Sequence, residues 1–222
     1  MKLLIINGSP KLGKNNTSIL LDKFISGFNE KSDKTFQIYR MNTNETYQNA
    51  AKIFFEADNV LIAFPLYSYS MPAGVKLFIE ALEPYIKKCH GKKVGFLIQY
   101  GFEEATHARP LEKYLASICK ILECEYMGTI IRGGCDGLCR GQQIGRARKI
   151  LQGIYEIGRD FGTSGKFDQD QLDHYSAPEI QKKMNPLLAK IIFWAINKFY
   201  WERAFKKNGV NLKESFAKPY GQ

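Results

Sequence analysis

The polar loop between residues 7 and 15 holds the groups best suited to chemistry in this chain. Its sequence, NGSPKLGKN, lies between the branched apolar run Leu3–Ile6 and a helical pattern that begins at Asn16. In such a strand–loop–helix unit, the loop amides and the positive end of the helix dipole meet at one point, which favours an anion. We therefore predict an anion site here, with an ordinary strand-to-helix turn that binds no ligand as the alternative.

The spacing within this loop distinguishes between kinds of phosphate. Gly8, Gly13 and Lys14 match the first part of the triphosphate-binding pattern G-x-x-x-x-G-K-[ST]. Asn15 then stands where that pattern needs a hydroxyl to hold magnesium, and the dinucleotide pattern G-x-G-x-x-G is missing as well. The hydroxyls and amides that the loop does supply suit a single phosphomonoester held with little countercharge. They belong to Ser9, Asn16, Thr17 and Ser18.

The segment Pro65–Pro72, PLYSYSMP, is a second candidate site. It follows an apolar run and places two tyrosines, a leucine and a methionine between prolines, which an exposed loop would rarely carry. Side chains fixed in this way suit a wall for a flat heteroaromatic ring. A tyrosine-rich protein interface is the alternative, and the two are compatible. A third loop, Gln99–Glu104, contains Gly101, where a backbone can approach a ligand closely.

Apolar runs alternate with helical patterns over residues 1–161, which is typical of a parallel sheet with helices on both faces. A hydrophobic content of 45% is ample for such a two-sided core. Right-handed crossovers then favour an α/β, flavodoxin-like three-layer fold with strand order 2-1-3-4-5 and ligands at the carboxyl ends of the strands. The predicted strands are Leu3–Ile6, Thr35–Arg40, Asn59–Phe64, Lys93–Ile98 and Tyr126–Ile131.

Two motifs give the chain a resemblance to a known family. The segments NGSPK…NNTSILL and PLYSYSMPAGVKLFIEAL resemble the NAD(P)H-dependent FMN reductase group of flavodoxin-like proteins, which includes the flavin portion of iron–sulfur flavoproteins. The resemblance implies bound FMN with its phosphate near the first loop, where Lys11 replaces a more frequent arginine and loses the bidentate fork. The residues implied to contact FMN are Ser9, Lys11, Asn16, Thr17, Ser18, Pro65, Leu66, Tyr67, Ser68, Tyr69, Met71, Tyr100, Gly101 and Phe102.

The resemblance also implies an activity, in which hydride passes from NAD(P)H through FMN to a small acceptor such as a quinone or free flavin. Because the cofactor performs this chemistry, we assign no catalytic side chain. The backbone amides of residues 100–102 are our candidates for stabilising charge at the N1/O2 edge of the flavin. A homodimer in the cytoplasm is expected. The alternative is a non-enzymatic FMN electron carrier or scaffold that docks a protein or a membrane.

The five cysteines, without a secretory signal at the N-terminus, are expected to be reduced thiols of a cytosolic protein. Cys135 and Cys139 lie in a glycine-rich stretch. The sequence leaves open whether they form half of a metal site or a redox disulfide. The compact cysteine run of the iron–sulfur members is missing, so we predict no metal site. Cys119 and Cys124 are expected to be buried thiols. Surface or helix-end positions are expected for His90, His107 and His174.

The net charge of +10 is concentrated at the C-terminus, because residues 182–222 hold nine Lys/Arg and two Asp/Glu. A nucleic-acid partner is therefore not expected. The predicted helix Pro186–Lys207 is apolar enough that we favour packing on its own domain or a second subunit. Its lysines and aromatic residues make an anionic membrane surface the alternative. We expect an FMN-binding domain over residues 1–162 and a linker with this helical extension over residues 163–222. The polar stretch 163–174 is the predicted linker.

Overall fold

The structure is a computed structural model that describes residues 1–30, 34–41, 47–141, 144–181 and 185–210. The chain divides into two compact units, of which the first spans residues 1–181 and the second spans residues 182–222. All three candidate loops belong to the first unit.

The first unit is built on one parallel sheet with the order β2-β1-β3-β4-β5, which confirms the predicted topology. The order reverses between β1 and β3, so the carboxyl ends of these two strands form the topological switch point where such folds bind ligands. β2 lies at an edge and is largely exposed. The strands are β1 (Lys2–Asn7), β2 (Thr35–Arg40), β3 (Asn59–Pro65), β4 (Lys93–Gln99) and β5 (Glu125–Arg132).

Helices cover both faces of the sheet, which explains why β1, β3 and β4 are nearly continuous apolar runs. Alternate residues of β1 enter different cores: Leu4 and Ile6 pack with α2, α3 and α4, whereas Leu3 and Ile5 pack with α1, α5 and α6. These helices are α1 (Asn16–Phe28), α2 (Tyr47–Glu56), α3 (Ala73–Glu80), α4 (Arg109–Leu122), α5 (Ile144–Ser164) and α6 (Gln169–Ser176).

Helices α1 and α5 approach each other backbone to backbone through glycines. A Cβ atom at Gly158 would overlap the carbonyl oxygen of Phe24, and one at Gly27 would overlap the carbonyl oxygen of Tyr155. Only residues without side chains fit this crossing. Because α1 begins at the end of the first candidate loop, the crossing fixes the position of that loop on the sheet.

Residues 163–181 belong to the first unit rather than to a linker. Helix α5 continues to Ser164, and α6 packs near β5 with Leu172 and Tyr175 buried. The Tyr175 hydroxyl donates a hydrogen bond of 3.0 Å to the carbonyl oxygen of Ile150. Polar composition predicts a linker here, but the few apolar anchors within the segment are enough to dock it, so the units divide after residue 181.

The second unit contains a continuous helix that confirms the predicted helical extension. It comprises α7 (Pro186–Ile196), a π-helical segment (Asn197–Trp201) and α8 (Glu202–Lys207). The side chain of Asn185 caps α7 by accepting a hydrogen bond from the Leu187 amide at 2.9 Å. Residues 182–184 and 211–222 of the predicted extension lie outside the described residues. Within the described ranges, no helix has the length and apolar character that crossing a bilayer requires.

Candidate functional site

The three candidate loops leave the sheet side by side. The Gly8 amide donates to the carbonyl oxygen of Ala63 at 2.8 Å, so the loop after β1 starts against β3. In the same way, the Leu66 amide donates to the carbonyl oxygen of Gln99 at 2.9 Å. The loops after β1, β3 and β4 therefore converge on the carboxyl edge of the sheet, at the predicted position.

The first loop ends in a capping box. Asn15 is the N-cap of α1, and its side-chain oxygen accepts a hydrogen bond from the Ser18 amide at 3.0 Å. The Ser18 hydroxyl accepts in return from the Asn15 amide at 3.1 Å and donates to the Asn15 carbonyl oxygen at 2.8 Å. The Ser18 hydroxyl is thus already used in capping the N-terminus of α1.

Asn16 joins the first loop to the loop that follows β5. Its side-chain nitrogen donates to the carbonyl oxygen of Cys135 at 2.8 Å, and its side-chain oxygen accepts from the Cys139 amide at 2.9 Å. Its predicted contact with phosphate is therefore left to its backbone amide. Nothing in the sequence signals this clamp, because the bonded residues are 119 and 123 positions away.

Thr17 and Ser9 are the other two hydroxyl residues of the predicted phosphate site. Thr17 is buried, and its hydroxyl oxygen accepts a hydrogen bond from the Gln99 side chain at 3.3 Å. The Ser9 amide donates to the side-chain oxygen of Asn7 at 3.0 Å, while the Ser9 hydroxyl has no partner within the described part of the chain. Lys11 is exposed beside them. The arrangement leaves one hydroxyl and the unpaired amides of the first helical turn for an anion.

The loop after β3 is a tight turn that displays tyrosines. The amides of Tyr67 and Ser70 each donate to the other residue's carbonyl oxygen at 2.9 Å. Between them, Ser68 and Tyr69 have φ values of 48° and 62°, a conformation that residues other than glycine adopt rarely and that is often found at functional sites. Tyr67 and Tyr69 are 51% and 62% exposed, whereas Met71 is buried. Pro65 ends β3, and Leu66 packs partly against the core.

The segment after β4 contacts this turn through His107, for which the sequence predicts a position at the surface or at a helix end. The ring of His107 lies 5.5 Å from the ring of Tyr69, 5.1 Å from that of Phe102 and 6.4 Å from that of Tyr100. Phe102 is 69% exposed, whereas Tyr100 is buried, which raises the pKa of its hydroxyl. His107 thus lies among three of the predicted flavin-contacting side chains, although it was not predicted as a site residue.

The loop after β5 packs against the loop after β4 and holds it in place. The Gly134 amide donates to the carbonyl oxygen of Phe102 at 2.6 Å, and a Cβ atom at Gly133 would overlap that same oxygen. A Cβ atom at Gly101 would lie 3.6 Å from the Cβ atom of Asp136, which is ordinary contact. The glycine-rich stretch therefore has a structural role that its cysteines do not explain.

The fold and these loops define an α/β protein whose first loop leaves a hydroxyl and helix-start amides without partners within the described residues, and whose next two loops expose aromatic side chains at the topological switch point. A family model described as the flavodoxin-like fold matches residues 1–151, and the chain belongs to this family. Among the curated proteins, none matches the chain.

Three solved structures show the same fold at low sequence identity. An azoreductase from Bacillus anthracis str. Sterne has a TM-score of 0.57 and 18% identity, covering 72% of this chain and 98% of that one. An NADPH-quinone reductase from P. pentosaceus has a TM-score of 0.54 and 17% identity, covering 71% and 98%. The apo form of an NADH:FMN oxidoreductase (EMOB) has a TM-score of 0.57 and 16% identity, covering 84% and 98%.

Proposed function

We propose that this chain is an FMN-dependent NAD(P)H oxidoreductase that reduces a small acceptor such as a quinone or free flavin. The observation that carries the proposal is the convergence of an anion-accepting turn and exposed aromatic side chains at the topological switch point. FMN supplies hydride chemistry when it is bound, so the chain itself needs to bind, orient and shield the ring. The names of the similar structures, all reductases, support the same class of activity.

The first loop fits a phosphomonoester. The Ser9 hydroxyl lacks a protein partner, and the first-turn amides of Asn16 and Thr17 have no acceptor within the helix. A phosphate held there gains hydrogen bonds and the favourable end of the helix dipole, without a buried countercharge. Lys11 adds a positive charge from the exposed side of the loop. These are the groups that we expect to hold FMN at its phosphate.

The second and third loops fit a flat ring. Tyr67, Tyr69 and Phe102 expose aromatic surface that a ring system can cover. The Tyr100 amide already donates to the carbonyl oxygen of Arg132 at 3.2 Å, which leaves the amides of Gly101 and Phe102 for the N1/O2 edge of the flavin. We propose that a second copy of the chain, in a cytoplasmic homodimer, covers the tyrosine turn.

Bleaching of the flavin colour by a nicotinamide is the test of this function. We expect the full chain, reconstituted with FMN under anaerobic conditions, to lose its visible flavin absorption within seconds after addition of NADH or NADPH. A quinone should then restore the absorption, because it reoxidises the flavin. Bleaching by dithionite but by neither nicotinamide would contradict the reductase proposal and support a carrier. A preparation that stays colourless after reconstitution would contradict both.

An FMN carrier that docks on an anionic membrane surface is the second candidate function. The helix of the second unit exposes large apolar and aromatic side chains, including Leu187, Phe193 and Trp194. Its last turns carry Arg203, Lys206 and Lys207, within a segment whose net charge from residues 182–222 is +7. Apolar and aromatic side chains with nearby lysines and arginines are the composition of helices that lie in the interface of anionic bilayers.

Co-sedimentation with lipid vesicles tests the docking. We expect the full chain to bind vesicles that contain phosphatidylglycerol and not vesicles of phosphatidylcholine alone. Each exposed lysine contributes about 1 kcal/mol at such a surface, so K206Q/K207Q should weaken binding about thirty-fold. The matched control is K87Q/K88Q, which removes two lysines from the first unit and should leave binding unchanged. Equal binding to both vesicle types, or none to either, would discard this candidate.

A further inference from the structure

Three of the five cysteines lie together at the edge of the sheet opposite the candidate flavin site. Cys89 precedes β4, Cys119 is in the last turn of α4, and Cys124 immediately precedes β5. The Cys89 amide donates to the carbonyl oxygen of Leu122 at 3.1 Å, which ties its turn to the end of α4. Lys92, directly before β4, completes the group. None of these residues has a role in the function proposed above.

The end of α4 holds Cys119 and Cys124 against each other. Glu123 takes a left-handed conformation with a φ of 60°, and the Cys124 amide donates to the Cys119 carbonyl oxygen at 3.0 Å. This is the hydrogen bond of a Schellman motif, in which the side chains of the two bonded residues commonly touch. The Cys124 thiol also donates to the Cys119 carbonyl oxygen at 3.5 Å. The Cys124 sulfur atom therefore lies against the backbone of Cys119, and the motif places the two side chains next to each other.

The two thiols differ in acidity. A hydrogen bond between them, given by the Cys119 thiol, lowers the pKa of Cys124. The same bond, together with burial, raises the pKa of Cys119. Of the two thiols, Cys124 is therefore the one that loses its proton more readily.

Lys92 adds a positive charge to this environment. Its side chain is buried, lies 5.3 Å from the ring centre of Phe54 and donates to the carbonyl oxygens of Phe55, at 3.1 Å, and Ala57. Within the described ranges, no carboxylate forms an ion pair with it. Burial lowers the pKa of the Lys92 ammonium, and the nearby thiols of Cys89 and Cys124 and the carboxylate of Asp58 oppose that shift. Its charge lowers the pKa of Cys124 further.

Exposure distinguishes Cys124 from the other thiols of the cluster. Cys124 is half-buried, whereas Cys119 and Cys89 are only 1% and 2% exposed. Of the pair, Cys124 is therefore the residue that an external disulfide meets first, and Cys119 lies behind it. A more exposed and more acidic thiol beside a buried one is the arrangement of an attacking and a resolving cysteine.

We propose that Cys124 and Cys119 form a dithiol site that exchanges with small-molecule disulfides. The Cys124 thiolate attacks one sulfur of the external disulfide, forming a mixed disulfide and releasing one thiolate. Cys119 then attacks the Cys124 sulfur, and its proton passes to the departing sulfur atom, which leaves as the second thiol. The two protein thiols are oxidised to a disulfide, and the external disulfide is reduced to two thiols.

Peptide mapping after exposure to glutathione disulfide tests the site on the reduced full chain. Trypsin cuts after Lys113, Lys120 and Arg132, so Cys119 and Cys124 fall on the separate peptides 114–120 and 121–132. We expect these peptides to become linked in the native protein and to separate again on reduction. C135S/C139S, which removes the other close pair in the sequence, should behave like the unaltered chain.

Single substitutions distinguish the two roles. C119S should accumulate glutathione on Cys124, because the resolving thiol is missing, whereas C124S should react at least about tenfold more slowly at this pair. If C119S fails to fold, C119A provides the same test with an apolar residue at the buried position. Unlinked peptides in the native protein, linkage to Cys89 instead, or unchanged reaction in C124S would overturn the proposal.

Discussion

Replacing Gly158 by alanine should lower the free energy of unfolding of the first unit by about 3 kcal/mol. The added methyl group would overlap the carbonyl oxygen of Phe24, a backbone atom of α1 that cannot rotate away. The helices would have to separate, which loosens the packing of α5 residues such as Ile154 and Phe161 against the sheet. This cost exceeds the modest gain in helix propensity that alanine brings over glycine.

Urea unfolding of the chain without added FMN measures this change. The matched control is Gly145→Ala in the same helix, where the position is exposed and a Cβ atom would meet nothing within 4 Å. Its stability should stay within about 0.5 kcal/mol of the unaltered chain or rise slightly. Equal midpoints for the two variants would contradict the backbone-to-backbone crossing of α1 and α5.

The sheet could be predicted because its strands are easy to recognise in the sequence. β1, β3 and β4 are buried on both faces and therefore read as uninterrupted apolar runs. Once five strand–helix units are recognised, right-handed crossovers leave few possible orders, and the observed order is the one expected. The positions of the loops at the carboxyl edge follow from the same rule.

The contacts between the loops could not be predicted, because they depend on the geometry of the finished fold. His107 approaches Tyr69 across 38 positions of sequence, and no local pattern marks the pair. The left-handed conformations of Ser68 and Tyr69 run against propensity, which would place glycine or asparagine in such a turn. The paired hydrogen bonds of the turn and its anchoring by Met71 outweigh that preference.

The boundary between the two units also could not be predicted from the amino-acid composition. Residues 163–174 are polar enough to predict a linker, yet Leu172 is buried and α6 packs near β5. A single apolar residue per helical turn is a weak signal in the sequence, but it is sufficient when a sheet face lies next to it. Burial of a few side chains therefore decided where the first unit ends.

Replacing Ser9 by aspartate should abolish most of the affinity for FMN. The variant carboxylate would lie where the proposed site accepts a phosphate dianion, since the Ser9 hydroxyl is the one hydroxyl of this loop left without a partner within the described residues. Two unit charges at about 4 Å repel by about 4 kcal/mol at an effective dielectric constant of about 20. With allowance for solvent screening, we expect the dissociation constant of FMN to rise at least about 100-fold.

Riboflavin, which carries the same ring without the phosphate, provides the internal control for this change. Its affinity should shift by no more than about threefold in S9D, because the repulsion acts only on the phosphate. S26D introduces the same charge at an exposed position further along α1 and should leave both ligands unaffected. S9A removes one hydrogen bond to a charged group and should weaken FMN binding by about tenfold. Equal losses of FMN and riboflavin in S9D would show that the phosphate is held elsewhere, because a repulsion that acts on the ring as strongly as on the phosphate cannot come from this loop.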